Sequence, residues 1–89
     1  MATLIVHHKV EDYAKWRKIF DNHDETRREF GSTGFRVFQS ASDPNDVTTI
    51  LDWPSVDAAK AFATSDSLKK AMKDAGVASH PELMYLVEA

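Results

Sequence analysis

The sequence predicts an α+β fold with elements in the order β-α-β-β-α-β. Two observations carry this reading. A 20-residue stretch from Asp12 to Gly31 has helical periodicity, and a second, shorter helical region lies beyond Pro54. Around them stand four short runs rich in β-branched and aromatic residues, two of which are joined through the turn Asp43-Pro44-Asn45-Asp46. An 89-residue chain of this kind is one domain.

The first run, Ala2 to Lys9, reads as a strand with Leu4, Val6 and His8 on one face and Ile5, His7 and Lys9 on the other. Both faces begin apolar, which implies cover on both sides. The adjacent histidines point in opposite directions, so they are not a chelating pair.

Asp12 to Gly31 reads as one long helix. Tyr13, Trp16, Ile19, Phe20, His23, Arg27 and Phe30 fall on a single face, and Lys15, Lys18, Asp21, Asn22, Glu25, Arg28 and Glu29 on the opposite one. Asp12 suits the N-cap, and Gly31 can stop the helix in a left-handed conformation. His23 and Arg27 interrupt the apolar stripe. An unpaired buried Arg costs several kcal/mol, so this half of the stripe must meet a carboxylate, the rim of the protein or a wet pocket.

Phe35 to Ala41 reads as the second strand, Asp43 to Asp46 as a turn, and Val47 to Trp53 as the returning strand of a hairpin. Ser55 then caps a helix with Val56, Ala59, Phe62 and Ala63 inward. Ser65-Asp66-Ser67 interrupts it, and a second piece runs to about Ala75 with Leu68, Ala71, Met72 and Ala75 inward, ending at Gly76. Val77 to Glu82 is a loop carrying His80, and Leu83 to Glu88 is the last strand.

This order is ferredoxin-like, and right-handed crossovers place both helical regions on one face of a four-stranded antiparallel sheet. The other face is left bare, with Ile5, Phe38 or Val37, and Leu86 or Tyr85 on it, depending on register. A chain this small buries only about 60–65% of its unfolded surface. A homodimer with the open sheet faces packed together is the simplest remedy.

Composition removes several functions. Net charge is −3 with no basic cluster, which argues against nucleic acid. The absence of cysteine excludes disulfides, thiolate metal sites and Cys nucleophiles. No apolar run is long enough to span a bilayer and no signal-peptide pattern is present, so the expectation is a cytoplasmic protein without membrane contact. No metal-ligand spacing, nucleotide-binding loop or nucleophile motif is found, and neither cofactor nor metal is expected.

Three local features carry a resemblance: Val10-Glu11-Asp12-Tyr13-Ala14-Lys15-Trp16 at the opening of the first helix, Gly31 and Gly34 before the second strand, and Leu51-Asp52-Trp53 followed by Ser55 to Phe62. With the element order, they make the chain similar to the dimeric α/β-barrel superfamily, and within it to antibiotic-biosynthesis-monooxygenase-like small proteins. The resemblance implies a homodimer whose sheets form a barrel and a small-molecule pocket between helices and sheet in each subunit. It implies a cofactor-independent monooxygenase-like activity, with oxygenation, cyclisation or isomerisation of a planar aromatic or polyketide-like substrate. The alternative is a non-catalytic dimeric binding or structural module. The haem-degrading branch is set aside, because its Trp and His positions fall here on Phe62 and Met72 and the first strand has no Asn.

The candidate catalytic residues are His23 as base, with Arg27 or His8 as anion stabiliser. Trp16, Trp53, Phe62 and Tyr85 are the candidate substrate-binding walls, since aromatic walls suit planar ligands. A different outcome for Arg27 is pairing with Asp24 or Asp52, and core packing alone could account for each aromatic.

Overall fold

The computed structural model describes residues 1–89. Eight elements follow one another: β1 (Ala2–Lys9), α1 (Tyr13–Asn22), α2 (Asp24–Glu29), β2 (Gly34–Ser40), β3 (Asp43–Trp53), α3 (Val56–Ala63), α4 (Asp66–Asp74) and β4 (Glu82–Val87). The strands form one sheet in the order β2-β3-β1-β4, and every neighbouring pair is antiparallel. This is the expected ferredoxin-like arrangement.

Register decides which residues face the helices. Leu4 lies opposite Leu51 and Tyr85, Val6 opposite Thr49, and His8 opposite Val47. Leu4, Val6, His8, Val47, Thr49 and Leu51 are buried on that face. Val37 and Tyr85 share this face, so the open face carries Ile5, Phe38, Ile50, Met84 and Leu86. Phe38, Met84 and Leu86 are exposed there.

The helix-side core is divided. One cluster gathers Ala2, Leu4, Val6, Leu51, Trp53, Ala59 and Phe62 under α3. A second gathers Val10, Trp16, Val47 and Ala75 at the other end of the sheet.

Two expectations are corrected. The long helix is two helices, α1 and α2, joined at His23 (φ −87°, ψ 0°). The Phe20 carbonyl accepts from the His23 N–H at 3.2 Å and from Arg27 Nη1 at 2.8 Å, so a side chain completes the end of α1. Its N-cap is as expected, with the Asp12 carboxylate accepting from the Ala14 N–H. Gly31, at φ +108°, follows α2 and turns the chain toward β2.

The second correction concerns the hairpin. Its tip is Ala41-Ser42, and Asp43 to Asp46 belong to β3, where the register shifts beside Gln39 and Ser40. The turn chemistry is real but local. Asp43 Oδ1 accepts from the Asn45 N–H at 2.9 Å, and the strand absorbs the irregularity instead of reversing there. The ends of β2 and β4 lie one residue earlier than the sequence implies.

Asn45 thereby gains a structural role. Its Oδ1 accepts from the Tyr13 N–H at 2.9 Å, its Nδ2 donates to the Glu11 carbonyl, and its own carbonyl accepts from the Val10 N–H. These bonds tie the β1–α1 connection to β3. Asn45→Ala removes both side-chain bonds and is expected to destabilise the fold by about 1–2 kcal/mol in urea unfolding. A loss of under roughly 0.3 kcal/mol would show that the connection holds without them.

Candidate active site

The two core clusters share no buried residue and are bridged by Phe20, which packs against both. Between them lies a cavity of about 40 Å³, lined by 14 residues of which 10 are hydrophobic. Val6, Leu51 and Phe62 of one cluster form part of its wall, and Trp16 and Ala75 of the other form another part. α1 adds Ile19 and Phe20, and α4 adds Leu68, Ala71 and Met72. The polar lining consists of His8, His23, Arg27 and Thr49.

β1 carries His8 into this space by simple alternation after Leu4 and Val6. The ring is 4% exposed and meets the edge of Trp16 at 5.8 Å. Neither ring nitrogen has a hydrogen-bond partner in the protein. Burial, with a smaller contribution from neighbouring His7, pushes its pKa down to about 4, so it is neutral at pH 7.

Arg27 is 2% exposed. Its guanidinium lies 3.7 Å from the centre of the Phe20 ring, donates to the Phe20 carbonyl and pairs with Asp24 at 3.3 Å. Pairing is thus with Asp24 rather than Asp52. Nε alone has no partner. Burial draws the pKa of Arg27 down, yet a guanidinium stays charged in water near neutrality.

His23 stands at the mouth, half-buried at the α1–α2 break. Its Nε2 lies 3.0 Å from the Ser67 hydroxyl, and its ring is 5.7 Å from that of Phe62. Burial and then the charge of Arg27 lower its pKa.

Five of the seven sequence candidates therefore line one cavity: His8, His23, Arg27, Trp16 and Phe62. Trp53 and Tyr85 do not. Trp53 is fully buried against Phe62 at 5.1 Å in the α3 cluster. Tyr85 lies on the outer strand β4, with the Lys60 ammonium 5.8 Å from its ring. Both are inward-facing, as expected, but the cavity lies nearer to α1 and α4. His80 is exposed. Thr49 is a lining residue that sequence reasoning missed. Its signal was a hydroxyl between Val47 and Leu51 on the buried side of β3. No three histidine or carboxylate side chains converge closely enough to hold a metal ion.

Residues 6–74 match the family model for antibiotic biosynthesis monooxygenase. The chain belongs to that family. Solved structures of similar shape agree with this family's fold. A Bordetella bronchiseptica protein provisionally named an antibiotic biosynthesis monooxygenase superposes with a TM-score of 0.84 at 18% identity, covering 99% of this chain and 96% of its own. One from Nitrosomonas europaea, named likewise, gives 0.76 at 19%, covering 99% and 98%. SnoaB, a cofactor-independent oxygenase from Streptomyces nogalater, gives 0.75 at 14%, covering 99% and 94%. No curated protein sequence matches the chain. At these identities the structural likeness is one of fold.

In this family member, the neutral state of His8 has a consequence for stability. An unfolded His titrates near 6.5 and folded His8 near 4, so the unfolded chain binds more protons in that range. Stability contributed by His8 is complete above about pH 6.5 and falls as pH drops to about 4, by roughly 3 kcal/mol. His7, bonded to Asp46 and raised in pKa, acts in the opposite sense. His8→Leu keeps an apolar side chain of suitable size and removes two unsatisfied nitrogens. Urea unfolding is expected to give equal or higher stability for the variant at pH 7 and a flatter decline between pH 6.5 and 4. An unchanged acid limb would show that His8 does not titrate in this way.

Proposed function

We propose that the cavity is the reaction site of a cofactor-independent oxygenase-type enzyme acting on a small planar phenol or enol. The observation that carries this reading is His8: a buried, neutral imidazole with no hydrogen-bond partner on either nitrogen, lining the same apolar cavity as the buried guanidinium of Arg27. Membership of the antibiotic biosynthesis monooxygenase family supports it.

The roles of the two histidines differ from those the sequence implies. His8 is the base, because it is neutral and unpartnered. His23, already bonded to Ser67, is placed to pass the proton to solvent. His8 takes a proton from the substrate O–H or an acidic C–H. The resulting anion is stabilised by the new imidazolium and by Arg27, whose Nε is the free donor. Water exclusion by the apolar lining strengthens both interactions. The anion gives one electron to dioxygen, the substrate radical and superoxide join through a new C–O bond, and the peroxide loses water to leave a carbonyl. One oxygen atom enters the product and the other leaves as water. Without dioxygen the same anion attacks an internal carbonyl, closing a ring, or is reprotonated elsewhere as an isomer.

The small volume favours the other reading, a non-catalytic binding module, because 40 Å³ is space for a few waters. Oxygen uptake separates the two. With 1-naphthol, 1,5-dihydroxynaphthalene and anthrone as trial substrates, wild type is expected to exceed the buffer rate with at least one, and His8→Leu to lose about 10²–10⁴-fold of that excess. No excess with any of the three, or full activity in His8→Leu, would move the binding module ahead.

We also infer a homodimer through the open sheet face. Five apolar side chains, Ile5, Phe38, Ile50, Met84 and Leu86, share that face, flanked by Arg36 and the opposite charges of Asp46, Asp52 and Glu82. Such a surface is self-complementary under a two-fold axis. Light scattering is expected to give a dimer for wild type and a monomer for Phe38→Asp. A wild-type monomer at micromolar concentration would overturn the assembly.

A further inference from the structure

A surface groove of about 240 Å³ adjoins the cavity, between the end of α1 and one side of α4 along its length. Ile19, His23 and Ala71 line both spaces. On the groove side stand Asn22, Ser67, Lys70 and Asp74. The His23 Nε2–Ser67 Oγ contact at 3.0 Å crosses from one wall to the other.

This partition is lightly built. His23 sits at the break between two helices, with no side-chain cap bond. Ser67 is exposed, and α4 contains no fully buried residue. Behind Ser67 the cavity wall is Leu68 and Met72, both half-buried, and Met is unbranched and adaptable. A segment with few buried contacts and one solvent-side bond opens at low free-energy cost.

The need for opening comes from size. The inner space takes one edge of a ring, whereas pockets for whole ligands begin near roughly 300 Å³. The two spaces joined come close to that volume. Their chemistry is also complementary: the inner half is apolar with a free base, and the outer half is polar with a cation. Asp74, one turn on from Lys70, forms no salt bridge with it.

We propose that the groove is the outer half of the substrate site, that the His23–Ser67 hydrogen bond is the latch between the halves, and that the ligand is a planar aromatic with an acidic hydroxyl at one edge and an anionic group at the other. The inner edge meets His8 and Arg27 Nε. The outer edge meets the Lys70 ammonium, the Asn22 amide and the released Ser67 hydroxyl. The carboxylate of Asp74 bounds the anionic position and sets its distance from the hydroxyl. This assignment rests on the proposed function, since it takes the cavity as the site of deprotonation.

Calorimetric titration with 1-naphthol and 1-naphthol-4-sulfonate tests it, with thermal melts to show that each variant is folded. Wild type is expected to bind the sulfonate more tightly than 1-naphthol. Lys70→Glu is expected to weaken the sulfonate about three- to tenfold and to leave 1-naphthol within about twofold. Ser67→Ala removes the latch and is expected to tighten 1-naphthol by about threefold, because less of the protein is held closed, and to tighten the sulfonate less, because that probe also loses the Ser67 hydroxyl. His8→Leu is expected to weaken both. If both probes bind and depend on His8, but Lys70→Glu leaves their affinity ratio unchanged, the outer half-site is overturned and the proposed function stands. If Lys70→Glu acts as expected but His8→Leu has no effect, the groove is a binding site and the proposed function falls. If neither probe binds wild type, both are overturned.

Discussion

The contact between Arg27 and Phe20 is the constraint on which the helix layer depends. A guanidinium that is 2% exposed has lost nearly all its water. Taken alone this costs several kcal/mol. Three partners offset it: the Phe20 ring at 3.7 Å, the Phe20 carbonyl at 2.8 Å and the Asp24 carboxylate at 3.3 Å. Phe35 adds a second ring at 5.2 Å. A desolvated cation over an aromatic face is worth about 2 kcal/mol or more, and a charged hydrogen bond adds roughly 1.5–3. The geometry has a price in helix continuity, since the Phe20 carbonyl is engaged by a side chain from the next helix. The chain therefore breaks at His23, and the break brings that ring to the mouth of the cavity. One buried cation thus sets the helix ends, the direction of α2 and the position of a candidate site residue.

The cavity follows from the same arrangement. Trp16 stacks on Phe20 at 4.9 Å and belongs with Val10, Val47 and Ala75, whereas Phe62 packs at a tilt against Trp53 and belongs with Leu4 and Leu51. Two aromatic clusters on one sheet leave a seam, and His8, Thr49 and Arg27 lie along it. A small domain gains stability by closing such seams with apolar side chains. Here the seam keeps an imidazole whose nitrogens have no protein partner, at a net cost to stability. Groups held at a cost of this kind are expected where function, rather than folding, selects the residue.

The fold was legible because its signals were redundant. Alternation placed Leu4, Val6 and His8 on the buried side of β1, and Ser55 and Gly76 bound the second helical region as read. The interruption at Ser65-Asp66-Ser67 shrinks to the cap Ser65, because its hydroxyl accepts from the Leu68 N–H and Asp66 and Ser67 form the first turn of α4. The Asp12–Gly31 stripe was read correctly as a face but not as two helices, because a guanidinium reaching back to a carbonyl leaves no mark on hydrophobic periodicity. The hairpin tip was misplaced because Asp43-Pro44-Asn45 has strong turn chemistry, while the deciding contacts, Asn45 to Tyr13 and Glu11, are distant in sequence. The polar candidates were legible as interruptions of apolar patterns. Trp53 and Tyr85 were overextended to the cavity because a sequence shows that an aromatic faces inward, but not against which of two clusters it packs.

On the proposed function, the cavity that His8 and Arg27 share accounts for a neutral histidine acting as base. Burial disfavours net charge in the seam, so the His8 imidazolium is suppressed. An anion formed in the same space reverses that balance, because it pairs with both cations at once. Proton transfer to His8 and stabilisation of the substrate anion then become a single electrostatic event, favourable only when both occur together. A solvated histidine would gain far less from such coupling, since water screens the attraction that drives it. The depressed basicity of His8 is therefore compatible with a role as base, and the apolar seam that depresses it is also what couples it to the charge formed on the substrate.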